Sequence, residues 1–295
     1  MHPLIAELLA DGPVVTDGAW GTQLQARGLA IGDFPDAWNL THPGRVEEVA
    51  RGYVEAGSRV ILTNTFGANR IRLGEQDPAI AGRVTEINRS GVEISRRGAG
   101  GRAKVFASIG PTGKLLLGGD VTPDEVSAAF AGQAQALAAA GTDALVVESM
   151  SDIEEARLAV AAAKATGLPV VASMVYDSGQ NRDRTMMGTT PEQDAVALAE
   201  AGADVIGANC GRVIADFITI CRRMRSATGL PLWMKANAGL PELVQGRTVY
   251  RTTPAEFAKH IPALLEAGAS FIGGCCGTSP EFIREIAARL AKLVH

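Results

Sequence analysis

Three of the four cysteines stand beside glycines at the ends of short apolar runs. Cys275 and Cys276 are adjacent in a Gly-Gly-Cys-Cys-Gly string at 273–277, and Cys210 lies between Asn209 and Gly211. A thiolate is both a nucleophile and a preferred ligand for zinc, and catalytic zinc commonly has three protein ligands and one open position. Three sulfurs from two loops match that number.

Two other interpretations of these cysteines remain open on the sequence alone. The adjacent pair is compatible with a strained disulfide, and free cysteines are often small buried hydrophobic residues. The spacing is not that of a C-x-x-C zinc motif, so the metal hypothesis depends on where the fold places the cysteines. We expect the fourth cysteine, Cys221, to pack in a helix.

Composition restricts the possible partners. The chain has 295 residues, of which 46% are hydrophobic and 20% charged, which is typical of a soluble protein with a large core. The net charge of -4 and the lack of basic clusters argue against nucleic acid or anionic lipid as a partner. The N-terminus lacks a signal-peptide pattern and no segment has the apolar length of a membrane span, so we expect a cytoplasmic protein with reduced thiols.

Strand-like runs alternate with helix-length segments along the chain. Ala-Gly pairs precede four of the runs, as expected where a helix ends at a glycine and a buried strand follows. We predict eight strands, at 14–17, 60–64, 105–109, 144–148, 170–174, 205–209, 232–236 and 271–274. This pattern predicts a (β/α)₈ barrel that forms one domain over residues 1–295. A doubly wound open sheet is the alternative.

The connecting segments also support the barrel. The string Thr122-Pro123-Asp124-Glu125 is a capping-box signal that predicts the start of a helix. The interval 18–57 is too long for one crossover, so we expect an elaborated first loop around Phe34, Pro35 and Trp38, of the kind that often covers a binding site.

Active sites of such barrels lie at the C-terminal ends of the strands. The residues at the predicted strand ends are polar, acidic or thiol-bearing. They are Asp17, Gly18, Asn64, Thr65, Ser108, Glu148, Asn209, Cys210, Asn237, Cys275 and Cys276. Only one strand separates the Cys210 strand from that of Cys275 and Cys276, so we expect the three thiols to meet at the barrel mouth.

These segments resemble the homocysteine S-methyltransferase family, which includes the homocysteine-binding module of cobalamin-dependent methionine synthase and the betaine-homocysteine methyltransferases. The matching strings are Asp-Gly-Ala-Trp-Gly-Thr at 17–22, Leu-Thr-Asn-Thr-Phe at 62–66, Gly-Ala-Asn-Cys-Gly at 207–211 and Gly-Gly-Cys-Cys-Gly-Thr at 273–278. The resemblance implies a barrel that binds zinc through Cys210, Cys275 and Cys276. It also implies that the homocysteine sulfur becomes the fourth zinc ligand and is methylated to methionine.

An amino acid substrate needs partners for its ammonium and carboxylate groups. The resemblance places Asp17 and Glu148 at the ammonium, although Asp17 could instead cap a turn and Glu148 could cap a helix or pair with a lysine. The backbone N–H groups of Gly18 and Ala19 are candidates for the carboxylate.

Four asparagine and threonine positions complete the predicted site. The resemblance makes Asn237 a candidate zinc ligand before substrate binds, with a turn residue as the alternative. We expect Asn209 to orient the zinc loop by hydrogen bonds and Asn64 and Thr65 to line the mouth.

The sequence indicates the methyl acceptor more clearly than the methyl donor. Candidates are a separate methyl-corrinoid protein, S-methylmethionine and betaine. Quaternary ammonium recognition usually needs an aromatic cage. The segment after the second strand carries Phe66 and Gly67 where the betaine enzymes carry a tyrosine, so we favour the corrinoid partner. Functions of other classes are a zinc-dependent lyase or hydrolase, and a thiol redox sensor that forms a Cys275-Cys276 disulfide.

Overall fold

A computed structural model describes residues 1–76, 78–244 and 247–293 of the chain. Eight parallel strands form one sheet, and two short antiparallel strands form a separate hairpin. In chain order the strands are β1 (Val14–Val15), β2 (Val60–Ile61), β3 (Lys104–Ile109), β4 (Ala144–Met150), β5 (Val170–Met174), β6 (Val205–Val213), β7 (Leu232–Asn237), β8 (Glu242–Val244), β9 (Arg247–Val249) and β10 (Ala269–Gly274). The hairpin consists of β8 and β9, so β10 is the eighth strand of the large sheet.

Helices fill the intervals between the strands. They are α1 (Pro3–Leu9), α2 (Gly21–Gln25), α3 (Trp38–Thr41), α4 (Pro43–Glu55), α5 (Arg70–Gln76), α6 (Pro78–Ala81), α7 (Val84–Ala99), α8 (Pro123–Ala139), α9 (Ile153–Lys164), α10 (Pro191–Glu200), α11 (Ile214–Ala227), α12 (Pro254–Ala258), α13 (Ile261–Glu266) and α14 (Pro280–Ala291). Two 3₁₀ turns, Pro35–Ala37 and Leu116–Gly118, lie in the loops after β1 and β3. No helix in the described ranges is both long and apolar enough to span a bilayer.

The parallel sheet curls into a barrel. Its strand order is β1-β10-β7-β6-β5-β4-β3-β2, so the first and second strands are its two ends. The backbone N–H of Arg59 donates to the carbonyl of Val15 at 2.9 Å, and the N–H of Leu62 donates to the Asp17 carboxylate at 2.7 Å. These two bonds join the ends. The protein is a (β/α)₈ barrel, as the sequence predicts.

The interior of the barrel has an apolar layer and a polar layer. The apolar layer includes Trp233, which packs between Phe106 and Phe271 at ring-centroid distances of 6.3 and 5.5 Å. Ile5 and Leu8 of α1 belong to the same cluster, so α1 covers the N-terminal end of the barrel.

The polar layer begins two residues further along the strands, because side chains on one face of a strand recur every second residue. Its members are all buried and are Thr16, Ser108, Glu148, Ser173 and Lys235, which follow Val14, Phe106, Val146, Val171 and Trp233. Glycine occupies the equivalent position of β6, where a Cβ on Gly207 would overlap the Trp233 backbone carbonyl. The sequence thus builds a polar floor beneath the C-terminal mouth.

The observed elements confirm the eight predicted barrel strands and refine their bounds. β1 and β2 are shorter than predicted because the chain leaves the ladder after two residues, while β6 continues past Asn209 through a register shift to Val213. The first loop is elaborated as expected and contains α2, a 3₁₀ turn and α3. The β8–β9 hairpin was not predicted.

Candidate active site

The three thiols meet at the mouth of the barrel. The sulfur atoms of Cys210, Cys275 and Cys276 all lie within 4.8 Å of one another, and the Cys210 and Cys276 sulfurs are 3.7 Å apart. All three cysteines are free thiols and half-buried. The structure therefore brings together the three cysteines that the sequence predicts to meet. Cys221 lies in α11, and its side chain is buried in the hydrophobic core with 0% exposure.

An irregular backbone turns the Cys210 side chain toward its partners. Cys210 has a φ of 62° and Gly211 a φ of 70°, which places two successive residues in the left-handed region. A non-glycine residue there costs on the order of 1–3 kcal/mol and persists only where the surroundings hold it. The neighbouring Asn209 supplies such support. Its amide oxygen accepts from the Ser149 N–H at 2.8 Å and from the Ser173 hydroxyl, and its amide nitrogen donates to the Ser149 hydroxyl at 2.7 Å.

Hydrogen bonds to neighbouring strands fix the second thiol loop. The Cys275 N–H donates to the Ala236 carbonyl at 2.7 Å, and the Ala238 N–H donates to the Cys276 carbonyl at 2.9 Å. The Thr278 hydroxyl donates to the Cys275 carbonyl at 2.7 Å. The tandem cysteines are thus anchored to β7.

The thiols influence one another's ionisation. Hydrogen bonds from Cys275 and Cys276 lower the pKa of Cys210 far below its usual range. The contacts with Cys210 raise the pKa of Cys275 and Cys276. These shifts favour a thiolate at Cys210, and a cation beside the cluster would favour ionisation of the other two sulfurs as well.

The cluster has the dimensions of a zinc site. Zinc binds thiolates at about 2.3 Å in tetrahedral geometry, which separates two ligand sulfurs by about 3.8 Å. The Cys210 to Cys276 separation of 3.7 Å agrees with this value. Asn237 is the last residue of β7, and its buried side-chain oxygen accepts no hydrogen bond from the described residues. An amide oxygen without a partner beside three thiols fits a further ligand position.

Beneath the thiols lies a buried trio of charged residues. The Lys235 ammonium pairs with Oδ1 of Asp17, and these side chains are 2% and 0% exposed. Glu148 is 8% exposed and accepts a hydrogen bond from the Ser108 hydroxyl at 2.5 Å. Burial raises the pKa of Glu148, an effect that the Cys210 charge reinforces and Lys235 opposes. The thiols and this trio therefore share one electrostatic environment.

The turn after β1 contains the two backbone groups predicted for a carboxylate. The N–H of Ala19 donates to the Thr278 hydroxyl at 3.1 Å, and the Ala19 carbonyl accepts from the buried Tyr53 hydroxyl at 2.6 Å. A Cβ on Gly18 would lie 2.7 Å from the Thr278 hydroxyl oxygen and 2.8 Å from that of Tyr53, so the turn requires glycine. Contacts with protein groups thus already hold Ala19.

Asn64 and Thr65 are buried and bonded to the protein. The Asn64 amide donates to the Pro35 carbonyl at 2.8 Å and to the Asn39 side chain at 2.9 Å. The Thr65 hydroxyl donates to the Ser108 carbonyl at 2.7 Å. The Asn64 contacts attach the elaborated first loop to the barrel, and the Thr65 contact joins the segment after β2 to β3. Lining of the mouth by the two side chains stays a prediction.

Sequence reasoning gave no role to two residues at the site. Lys235 lies inside the predicted strand at 232–236, and a lysine inside a buried strand indicates a paired charge. Tyr250 follows β9, and its ring is so close to Gly277 that a side chain there would overlap it. Burial and the sulfurs of Cys276 and Cys210 raise the pKa of the Tyr250 hydroxyl.

The fold and the site define a parallel barrel with a three-thiol centre at its catalytic face. The family model described as homocysteine S-methyltransferase matches residues 14–290. The chain therefore belongs to the homocysteine S-methyltransferase family.

Individual relatives agree with this assignment. The methionine synthase of Mycobacterium tuberculosis is 32% identical over 308 residues, which cover 98% of this chain and 25% of that protein. Betaine--homocysteine S-methyltransferase 1 of Bos taurus is 29% identical, with coverage of 97% of this chain and 74% of that protein. The chain thus spans about a quarter of the methionine synthase.

Solved structures support the fold. The metallated form of the homocysteine methyltransferase MmuM from Escherichia coli superposes with a TM-score of 0.81 at 23% identity. The match covers 97% of this chain and 99% of that one.

Proposed function

We propose that the protein is a zinc-dependent S-methyltransferase that transfers a methyl group to the thiol of homocysteine and so forms methionine. The observation that carries this proposal is the convergence of Cys210, Cys275 and Cys276 at the mouth of a barrel of this family. Free thiols are required for such a site, and we therefore place the protein in the reducing cytoplasm.

The three cysteines would hold the zinc, and Asn237 is the candidate for the position that the substrate takes. The chemistry that zinc supplies here is Lewis acidity toward a thiol, which otherwise has a pKa of about 8.5 and is mostly protonated at neutral pH. Asn209 holds the backbone that presents Cys210, as its bonds to Ser149 and Ser173 indicate. Orientation of the acceptor sulfur toward the methyl carbon would supply much of the rate.

We assign recognition of the ammonium and carboxylate groups of homocysteine to the polar floor and the adjoining turn after β1. Glu148 is the best candidate for the ammonium group, because its carboxylate is buried, borders the mouth and lacks a directly paired cation among the described residues. We assign the substrate carboxylate to the turn at Gly18, since the Ala19 N–H already bonds to Thr278.

A separate methyl-corrinoid protein is our preferred donor. Large hydrophobic side chains are exposed in the loops that follow the strands, on the same face as the thiols. They are Ile31, Phe66, Leu115, Leu117, Met186, Leu240 and Leu243. An apolar rim of this kind favours contact with another macromolecule over capture of a small polar donor.

The test is an assay for methionine with homocysteine and each donor class in turn. We expect Cys276→Ala to lose both zinc and methionine formation, because two remaining thiols cannot complete the site. Cys221→Ala is the matched control, since it removes a remote buried sulfur and should retain both. Full activity of Cys276→Ala without metal would contradict the proposal.

The same measurements of zinc content and methionine formation distinguish the proposed function from the two alternatives. A redox sensor would lose zinc on forming a Cys275-Cys276 disulfide and would yield no methionine with any donor. A zinc lyase or hydrolase would retain zinc and use water at the open position.

A further inference from the structure

Asp17, Lys235 and Glu148 place three ionisable groups within one buried layer. Asp17 follows β1 and Lys235 lies in β7, the two strands that flank β10, and these side chains are 0% and 2% exposed. Charges buried to this extent need partners, because removing an unpaired ion from water is strongly unfavourable. The pairing within the trio therefore determines which group remains available to a ligand.

The hydrogen bonds of Asp17 account for both of its carboxylate oxygens. Oδ2 accepts from the Trp20 indole N–H at 2.7 Å and from the Leu62 N–H at 2.7 Å. Oδ1 accepts from the Lys235 ammonium. A carboxylate oxygen offers about two lone pairs, so Oδ2 is saturated and Oδ1 already faces a cation.

Glu148 differs from Asp17 in both respects. Among the described residues it has no cation within 4 Å, and its hydrogen bond comes from the neutral Ser108 hydroxyl at 2.5 Å. Its 8% exposure exceeds that of Asp17, so the carboxylate borders the cavity. With Asp17 and Lys235 neutralising each other, the trio retains the one negative charge of Glu148.

We propose that Lys235 is a specificity-determining positioning residue, an internal cation that withdraws Asp17 from substrate recognition and leaves Glu148 as the single carboxylate for an acceptor carrying one ammonium group. This inference rests on the proposed function, because it concerns the acceptor thiol. It also assigns Asp17 a different role from the one that family resemblance implies.

The predicted consequence is a defined charge preference. Homocysteine and 4-mercaptobutyrate share the thiol, chain length and carboxylate, and only homocysteine has the ammonium. A hydrogen bond to a charged group changes affinity by about tenfold to a hundredfold. We expect the zinc-loaded protein to prefer homocysteine by about this factor.

Calorimetric titration of the zinc-loaded protein with both thiols tests the inference in four variants. Glu148→Gln should reduce the preference to within about threefold of unity, because the amide lacks the charge. The double variant Asp17→Asn with Lys235→Met removes the ion pair as a unit and should keep the wild-type preference within about threefold. Lys235→Met alone should increase the preference by about tenfold, since the unpaired Asp17 then attracts the ammonium.

Lys259→Met is the matched control, because Lys259 is exposed on the surface, and it should bind both thiols like the wild type. A cooperative thermal transition for each variant verifies folding. The double variant avoids a buried unpaired charge and remains informative if a single variant does not fold.

Four results would overturn the inference. These are an unchanged preference in folded Lys235→Met, loss of the preference in the double variant, retention of it in Glu148→Gln, and equal binding of both thiols by the wild type. Failure of the wild type to bind either thiol would instead reject the proposed function, and the inference with it.

Discussion

At the scale of residues, identical thiol groups have different environments. The hydrogen bonds from Cys275 and Cys276 lower the pKa of Cys210, and the contact with Cys210 raises the pKa of each of these two neighbours. Cys221 is buried away from this cluster, and burial raises its pKa to about 12. The four cysteines should therefore differ in their rates of reaction with a thiol reagent.

Alkylation of zinc-depleted protein tests this ranking. A lowered pKa keeps Cys210 ionised as pH falls below 8, so its rate with iodoacetamide should be nearly constant between pH 8 and 6. An ordinary thiol slows by about tenfold per pH unit in that range, because its thiolate fraction falls accordingly. Cys221 should not react at either pH. Mass spectrometry of timed digests measures each site, and equal pH dependence at Cys210 and Cys276 would contradict the ranking.

The site residues differ in how visible they are in the sequence. The meeting of Cys210 with the tandem cysteines could be predicted because each thiol ends an apolar run, whereas the substrate role of Glu148 stays a prediction. The bond between Lys235 and Asp17 could not, since it joins residues 218 positions apart through the closure of the barrel. Residue type indicates chemistry, whereas pairing depends on topology.

At the scale of elements, sequence motifs correctly predicted structures that depend on neighbouring residues, such as the start of a helix. Thr122 caps α8 through its side-chain oxygen, which accepts from the Glu125 N–H, and Glu125 bonds back to Thr122, as the capping-box string predicts. The β8–β9 hairpin was missed because three-residue strands have too little periodicity to recognise.

Thr122→Ala tests the contribution of the cap. It should lower the free energy of unfolding by about 1 kcal/mol, because the N–H of Glu125 loses its side-chain acceptor. Urea denaturation measures this loss. Thr122→Ser retains the oxygen and should stay within about 0.5 kcal/mol of the wild type, so equal losses in the two variants would argue against a capping effect.

At the scale of the whole molecule, the two ends of the barrel have separate tasks. The N-terminal end is closed by α1, whose Ile5 and Leu8 pack on the apolar layer around Trp233. The C-terminal end carries the polar floor and the three thiols. Barrels of this kind generally separate stability at one face from chemistry at the other.

Ile5→Ala tests that separation. Ile5 is 0% exposed, and its truncation leaves a cavity beneath the apolar layer. The free energy of unfolding should fall by about 2–5 kcal/mol, while zinc content and the affinity for homocysteine stay within about twofold of the wild type.

The control for Ile5→Ala is Leu117→Ala on the opposite face, where the side chain is 82% exposed. Its stability should change by less than about 0.5 kcal/mol, because an exposed leucine loses few contacts. Denaturation curves, zinc analysis and calorimetry on the same preparations give all three quantities. Loss of zinc from folded Ile5→Ala would show that the apolar layer transmits strain to the thiols, and the two ends would then act as one unit.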